Sequence, residues 1–387
     1  MQEYNTIIGN LLKGIDRRAF KRFVDIHKGE YYSKSLSCWE QFVAVFLGQI
    51  LKNCNSLRDI EDFLLCNKNQ WHNLGIKNKI SRSTLSYANK TKSYKIYEDL
   101  FYYLLRRNNK YNTNLTESVK IIDSSPIFLN LNLFNWADET IRIHGMKWHV
   151  MYDLSSTTPT YFEFSNAKTN DIEKAKNFEI ISNTTYVMDR AYMDFNWCHD
   201  IDEKGAYFVT RLKRNNSIKE LTLIQEHTDI VSSQLIQLSN KYLTHSGKNR
   251  CSDKILRRVI VQREGRTPLI LVTNDLNRSS EEIAELYKQR WQIELFFKWI
   301  KQNLKIKRFL GRSENAVKTQ ICIALCTYII MRDLEELRTY MSEICNYFSD
   351  SKFLKMINNN IFKTIKPINR NKIRDNPCQL KLIFDKI

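Results

Sequence analysis

The 387-residue chain lacks an apolar run long enough to cross a membrane: its longest uncharged one, ICIALCTYIIM at 321–331, falls short of the roughly 20 residues that a spanning helix needs. Its opening, MQEYNTIIGNLLKG, has no basic-then-apolar leader pattern, so a soluble, cytoplasmic protein is expected. None of the nine cysteines belongs to a CxxC pair, which argues against a disulfide framework and for a reducing compartment. Cys322 and Cys326, one turn apart in an apolar stretch, read as packing. The histidines at 27, 72, 144, 149, 199, 227 and 245 do not fall at zinc-ligand spacing with cysteines. There is no Gly-rich phosphate loop and hence no support for ATP-driven chemistry; internal repeats and a low-complexity tail are also missing. Acids are scarce relative to bases, 42 against 60, giving a net charge of +18 and a pI near 9.4. The charged fraction of 26% is ordinary, so the positive excess is spread through a folded chain. An anionic polymer, nucleic acid above all, is the partner this balance suits best; the alternative is a merely basic protein.

What is present divides the chain by period. Residues 1–116 are helical in pattern, with a broad apolar stripe in CWEQFVAVFLGQILKN continued by LRDIEDFLLCN. Ser81 is placed to cap a short helix bearing Arg82, Asn89 and Lys90 before a longer one, either a DNA-reading helix-turn-helix or an ordinary helical hairpin with a basic face. The polar stretch 107–118 reads as a linker. Beyond it VKIID, KWHVMYDL and TYFEFS alternate as strands, followed by helix, strand (TTYVMD), helix and strand (YFVTRLKR). That order, over 117–214, is that of an α/β sheet of the RNase H-like kind. Residues 215–278 supply β-type pieces such as RRVIVQRE and PLILVTNDL and are expected to form a β-rich insertion. The core resumes with a helix within 279–311, and 312–387 is helical again, ending in a basic tail.

The stretch YKQRWQIELFFKWIK, 287–301, predicts a helix without a clean polar face. At about 100° per residue, Tyr287, Arg290, Glu294 and Lys301 fall within roughly 60° of one another, while Trp291, Ile293, Leu295, Phe296, Phe297, Trp299 and Ile300 fill most of the remaining circumference. Ser279 and Glu282 form a capping-box pattern just upstream. Arg290 and Glu294 make an ordinary one-turn ion pair if the face is solvated. If it is enclosed, the carboxylate needs compensation, for which a metal ion or a catalytic role is the usual source.

Two further carboxylates stand where buried strands meet a sheet edge: Asp123 ends the run VKII, and Asp189 ends TTYVM. Neighbouring strands lie about 4.8 Å apart, so these acids and Glu294 could share a pair of hard cations about 3.5 to 4 Å apart, suited to phosphodiester chemistry. Competing acids have simpler readings. Asp194, Asp200 and Asp202 suit a first-turn position or a solvated helix face, and Asp153 suits a turn. His149 reads as a core or edge histidine, and Lys147 as a candidate phosphate contact.

With these residues in place the chain resembles the DDE transposases of bacterial insertion sequences, in the family-four branch with a Tyr-x2-Arg-x3-Glu-x6-Lys signature. Tyr287, Arg290, Glu294 and Lys301 match every spacing; IIDSS, MDRAYMDF, FVTRLKRN and KIKRFLGRSENAVKTQICIAL add further matches over about 117–335. The resemblance implies that Asp123, Asp189 and Glu294 are the catalytic set and the ligands of two Mg²⁺ ions, with Mn²⁺ able to substitute. It implies that Arg190, Tyr192, Arg211, Tyr287, Arg290 and Lys301 lie near DNA. It further implies cleavage at terminal inverted repeats, joining of 3′-OH ends to target DNA, a homodimer in the active complex and a bacterial, nucleoid-associated setting. A tryptophan in the β insertion, used by members that pass through a hairpin, has no counterpart: none lies between Trp197 and Trp291. A metal-dependent nuclease on the same core, or a catalytically silent DNA-binding protein, remains as the other reading.

Overall fold

The computed structural model describes residues 6–332, apart from 32, 34, 110–117, 141–143, 213–215, 225–230, 240–241, 244–246 and 264, together with 361 and 362. They fall into two compact units, Met1–Tyr111 with Trp299–Ile387, and Asn112–Lys298. The core of the expected linker, and nearly all of the expected helical region and basic tail beyond 332, lie outside the described residues. No helix among the described residues is long and apolar enough to cross a membrane.

The first unit is helical. Its elements from the amino-terminal segment are α1 (Ile7–Lys13), α2 (Arg17–Ile26), α3 (Cys38–Ile50), α4 (Leu57–Cys66), α5 (Trp71–Leu74), α6 (Arg82–Thr91) and α7 (Lys95–Asn109). Helix α3 is apolar nearly all round and is buried along its whole length, as such a sequence requires. Its one acid, Glu40, closes a capping box with Ser37 and also accepts from the Lys77 backbone N–H at 2.9 Å. A buried acid here is thus satisfied by two backbone donors and the Ser37 hydroxyl. Ser81 caps α6 as its sequence predicts. Asn89 departs from the DNA-reading alternative: it is buried, accepting from Gln41 Nε2 at 2.8 Å, with its carbonyl bonded to Asn315 Nδ2 at 2.9 Å. Arg82 and Lys90 remain on the exposed face of α6.

The second unit is mixed α/β, built on a ten-stranded sheet. Strand β1 (Ser118–Phe128) pairs antiparallel with β3 (His144–Asp153), which also pairs with β2 (Asp138–Glu139) and β4 (Thr158–Asn166). On its other side β1 runs parallel to β5 (Thr184–Met188), and β5 runs parallel to β6 (Tyr207–Arg211). The helix α8 (Asp171–Ala175) precedes β5, and α9 (Phe195–Glu203) links β5 to β6. All five residues of β5 are buried, which is why TTYVM reads as a continuous run rather than an alternating one.

The β-type pieces after 215 extend this same sheet. Strands β7 (Ile218–Ile224), β8 (Val231–Leu238), β11 (Leu256–Arg263) and β12 (Arg266–Thr273) continue it in the order β6-β12-β11-β8-β7, while β9 (Tyr242–Leu243) and β10 (Gly247–Lys248) form a small separate ribbon.

The segment expected as one helix over 287–301 is two. Helix α10 (Ser280–Gln289) carries the Ser279/Glu282 capping box and ends at Arg290; α11 (Trp291–Asn303) follows at once. Arg290 N–H donates to the Tyr287 carbonyl at 3.2 Å and Ile293 N–H to the Arg290 carbonyl at 3.3 Å, three-residue bonds that mark a tightened turn. The final element, α12 (Glu314–Arg332), packs on α3, α6 and α7 within the helical unit, with Cys322 and Cys326 fully buried as packing residues.

Candidate active site

Parallel pairing of β1 with β5 sets the first two acids. The register pairs Ile121 with Val187 and Ile122 with Met188, so Asp123 and Asp189 stand next in line on adjacent strands; Asp189 lies just past the end of β5, whereas Asp123, expected at the end of its strand, lies within β1, which runs on to Phe128 in its pairing with β3. Asp189 then caps a single 3₁₀ turn, Arg190–Tyr192, its carboxylate accepting from the Arg190 N–H at 2.5 Å.

Glu294 is brought in by packing. Phe296 and Phe297 of α11 lie against Trp148 of β3, with ring centroids 5.8 and 5.3 Å away, and Phe296 also meets Tyr152 at 5.3 Å. Helix α10 packs against β5, β6, β8 and β11. Its start is fixed by two arginines that no local pattern singles out. Buried Arg257 donates to Ser280 Oγ at 2.9 Å, to Ser233 Oγ at 2.8 Å and to the Arg278 carbonyl; Arg278 donates to Thr185 Oγ1 of β5 at 2.9 Å.

Arg290 joins two of the acids. Its Nη1 donates to Asp123 Oδ2 at 3.1 Å and its Nη2 to Glu294 Oε1 at 2.7 Å. Burial pushes the Asp123 carboxyl up to about 6, against the pull of the Ser124 N–H and the Arg290 guanidinium; Asp189 and Glu294 add to the rise. Asp123 thus senses both of the other acids. Burial, then the charge of Asp189, raises the Tyr287 phenol, while Arg290 and Arg211 lower it, which places Asp189, Arg211, Tyr287 and Arg290 in one electrostatic neighbourhood.

Other residues that the resemblance implies to lie near DNA fall differently. Arg190 is exposed beside Asp189. Tyr192, implied as a DNA neighbour, is only 1% exposed and sits in the core of the sheet unit, so its place is beneath the acids rather than on a DNA-facing surface. Lys301 lies in the last turn of α11, in the helical unit, where burial and then Lys307 lower its ammonium. The enclosure expected around this helix is partial: Ile293, Phe296, Phe297 and Ile300 are buried, but Trp291 is 57% exposed and Leu295 42%.

The competing residues have structural partners. Asp194 caps α9, Asp200 pairs with Arg250 at 2.7 Å, Asp202 with Lys254 at 2.9 Å, and Asp153 holds a turn through Ser155 and Ser156. Lys147 is engaged by Asp171 at 3.1 Å and by the Thr169 carbonyl at 2.8 Å.

His149 is fully buried, bonded to Ser165 Oγ at 2.7 Å, and burial pushes it down to about 4, with Asp171, Lys147, Glu163 and Lys174 as the charges around it. This lowering fixes the sign of a pH effect. The unfolded chain binds the proton more readily between pH 6.5 and 4, so stability is complete above that window and is lost as pH falls through it, by at most ~3 kcal/mol. Urea midpoints at pH 7 and pH 4.5 are expected to differ more in the wild type than in His149→Gln; equal differences would refute the assignment.

The donor set suits a hard cation: three carboxylates, each with oxygen lone pairs and no soft ligand. Among the described residues no group of three His, Cys, Asp or Glu side chains stands close enough to hold an ion ready-made. The chemistry of the three acids fits such an ion, with Arg290 standing between two of them.

The family described as transposase DDE domain matches residues 114–330, and a domain of unknown function (DUF4372) matches 3–77. A putative transposase y4zB of Sinorhizobium fredii (strain NBRC 101917 / NGR234) is 38% identical over 217 residues, 55% of this chain and 60% of that protein. A probable transposase for insertion sequence element IS5377 of Geobacillus stearothermophilus is 26% identical over 65% of this chain and 66% of its own length. For a putative transposase for element IS4SA of Synechocystis sp. (strain ATCC 27184 / PCC 6803 / Kazusa) the values are 26%, 76% and 80%. The chain thus spans under two thirds of the length of the first two relatives. A solved piggyBac transposase synaptic complex with hairpin DNA overlaps at a TM-score of 0.49 and 14% identity, covering 97% of this chain and 85% of that one, a likeness too slight to carry an argument. The match over 114–330 takes in the strands and helices bearing Asp123, Asp189 and Glu294, and the chain belongs to the transposase DDE domain family.

Proposed function

We propose that the protein is a DNA transposase that cuts at the terminal inverted repeats of an insertion sequence and joins the freed ends to target DNA. The observation that carries this reading is the Arg290 bridge between Asp123 of a strand and Glu294 of a helix, with Asp189 following the strand parallel to that of Asp123. The strand order β4-β3-β1-β5-β6, with its first two pairs antiparallel and its last two parallel, supports an RNase H-like core.

Asp123, Asp189 and Glu294 would hold two Mg²⁺ ions, or Mn²⁺. Bound there, such ions supply an activated water or 3′-hydroxyl and offset charge on the leaving oxygen. Asp123 and Asp189 hold their positions through the sheet, so their spacing does not depend on a mobile loop. In the first step a water oxygen attacks the phosphorus and the P–O3′ bond breaks, leaving a 3′-hydroxyl on the element end. In the second, that hydroxyl oxygen attacks a target phosphodiester, its proton leaves to solvent, and the target's own 3′ oxygen departs. One phosphodiester is exchanged for another, which agrees with the missing nucleotide-binding loop. Arg190, Arg211, Tyr287, Arg290 and Lys301 are proposed to meet the DNA, the helical residues 1–116 to add to its binding, and two copies to act together on two ends.

The test is purified protein with a labelled end fragment and Mg²⁺, resolved for nicks, hairpins and joined products. Joined products support the reading; nicks without joining from a pre-cut end favour the nuclease, and neither leaves a DNA-binding protein. Arg211→Ala is expected to weaken binding of the end fragment and to reduce the steepness of its salt dependence by about one counterion. An unchanged slope would move Arg211 away from the phosphates.

A further inference from the structure

Arg290 occupies a position in which no helix requires it. It sits at the break between α10 and α11, and its guanidinium reaches across to a strand on one side and one turn along α11 on the other. The two acids it binds belong to separate elements, so no local helical pairing accounts for both contacts. Its Nε is buried without a hydrogen-bond partner among the described residues, and the Tyr287 ring centroid lies 5.8 Å from its Cζ. The side chain is thus held by its two carboxylates while one donor stays unsatisfied. A guanidinium held in this way neutralises the oxygens that a divalent ion would need.

We propose that Arg290 is the built-in counter-cation of the acid cluster in the absence of DNA, competing with divalent metal for Asp123 and Glu294 and giving them up when a DNA phosphate offers it another anion. The inference rests on the metal-binding reading of the three acids and adds an order of events to it. Metal and DNA then bind with mutual assistance: phosphate draws the guanidinium off the carboxylates, and the vacated oxygens accept the ion. Such coupling is reciprocal, so metal tightens DNA binding by the same factor by which DNA tightens metal binding. The cluster is thereby kept from assembling a cutting site away from DNA.

The experiment measures Mn²⁺ binding by electron paramagnetic resonance, with the full chain, first without DNA and then with a short end duplex. Arg290→Gln, which keeps size and polarity but not charge, is expected to bind Mn²⁺ in the absence of DNA at least tenfold more tightly than the wild type. Arg290→Lys, which keeps the charge, should stay near the wild-type affinity, and Glu294→Gln should bind more weakly than either. Adding the duplex should tighten Mn²⁺ binding by the wild type severalfold more than binding by Arg290→Gln. Circular dichroism establishes that each variant is folded; where Arg290→Gln does not fold, the wild type's coupling between duplex and Mn²⁺, set against that of Arg290→Lys, decides. Equal or weaker Mn²⁺ binding by Arg290→Gln, or equal coupling in the proteins compared, overturns the inference. If that occurs while Glu294 remains essential for nicking, only the role of Arg290 is lost; if no variant binds Mn²⁺ at all, the metal reading of the acids fails with it.

Discussion

Glu294→Gln is expected to reduce Mg²⁺-dependent nicking by on the order of 10³-fold, equivalent to ~4 kcal/mol of transition-state stabilisation, while leaving DNA binding intact. The substitution is nearly isosteric. The amide oxygen can still accept from Arg290 Nη2, so the contact now 2.7 Å long has a neutral successor and α11 keeps its anchor. What disappears is one negative charge from a cluster already crowded enough, and buried enough, to raise Asp123. Removing an acid near the phosphates makes DNA binding equal or slightly tighter. Nicking assays and a filter-binding titration on the same preparation check both halves, and nicking at the wild-type rate would end the assignment of Glu294.

Trp148→Ala should destabilise the protein by ~3–5 kcal/mol, the range for removing a large buried ring, and should slow nicking through misplacement of Glu294. Trp148 has no exposed surface, and it is the ring on which both Phe296 and Phe297 rest, so its loss opens a void between β3 and α11. Trp148→Phe should cost much less, because an aromatic surface remains. The indole N–H adds little to the difference, since it finds no acceptor among the described residues. Chemical denaturation of the two variants measures the contrast; a Trp148→Ala variant as stable as the wild type would show that α11 is held by other means.

Much of this was legible in the sequence for simple reasons. An acid that ends a buried run marks where the β1/β5 pairing stops, as Asp123 and Asp189 do, but β1 itself runs on past Asp123 to Phe128 because β3 still pairs with it. A capping box announces a helix start, and Ser279 with Glu282 does so for α10. The Arg290 and Glu294 spacing survived because one turn of helix or of tightened turn covers it equally. The helical wheel misled where an apolar side chain was taken for a buried one: Trp291 and Leu295, one turn apart on α11, are exposed. Tyr192 and Asn89 misled differently. Their side chains suit surface and core alike, and only tertiary partners decide between the two. The roles of Arg257 and Arg278 depend on groups from distant strands, which no local pattern encodes.

The pairing of β6 with β12 has a consequence for synthesis on the ribosome. Strand β6 is complete at residue 211, but the neighbour that covers its free side ends only at residue 273, so a growing chain carries an unprotected backbone edge for some sixty residues. Any product terminated inside that interval keeps the edge permanently and is predisposed to clump with its own kind. Shortened copies would then be removed by insolubility and proteolysis, instead of lingering as soluble competitors for the full-length protein.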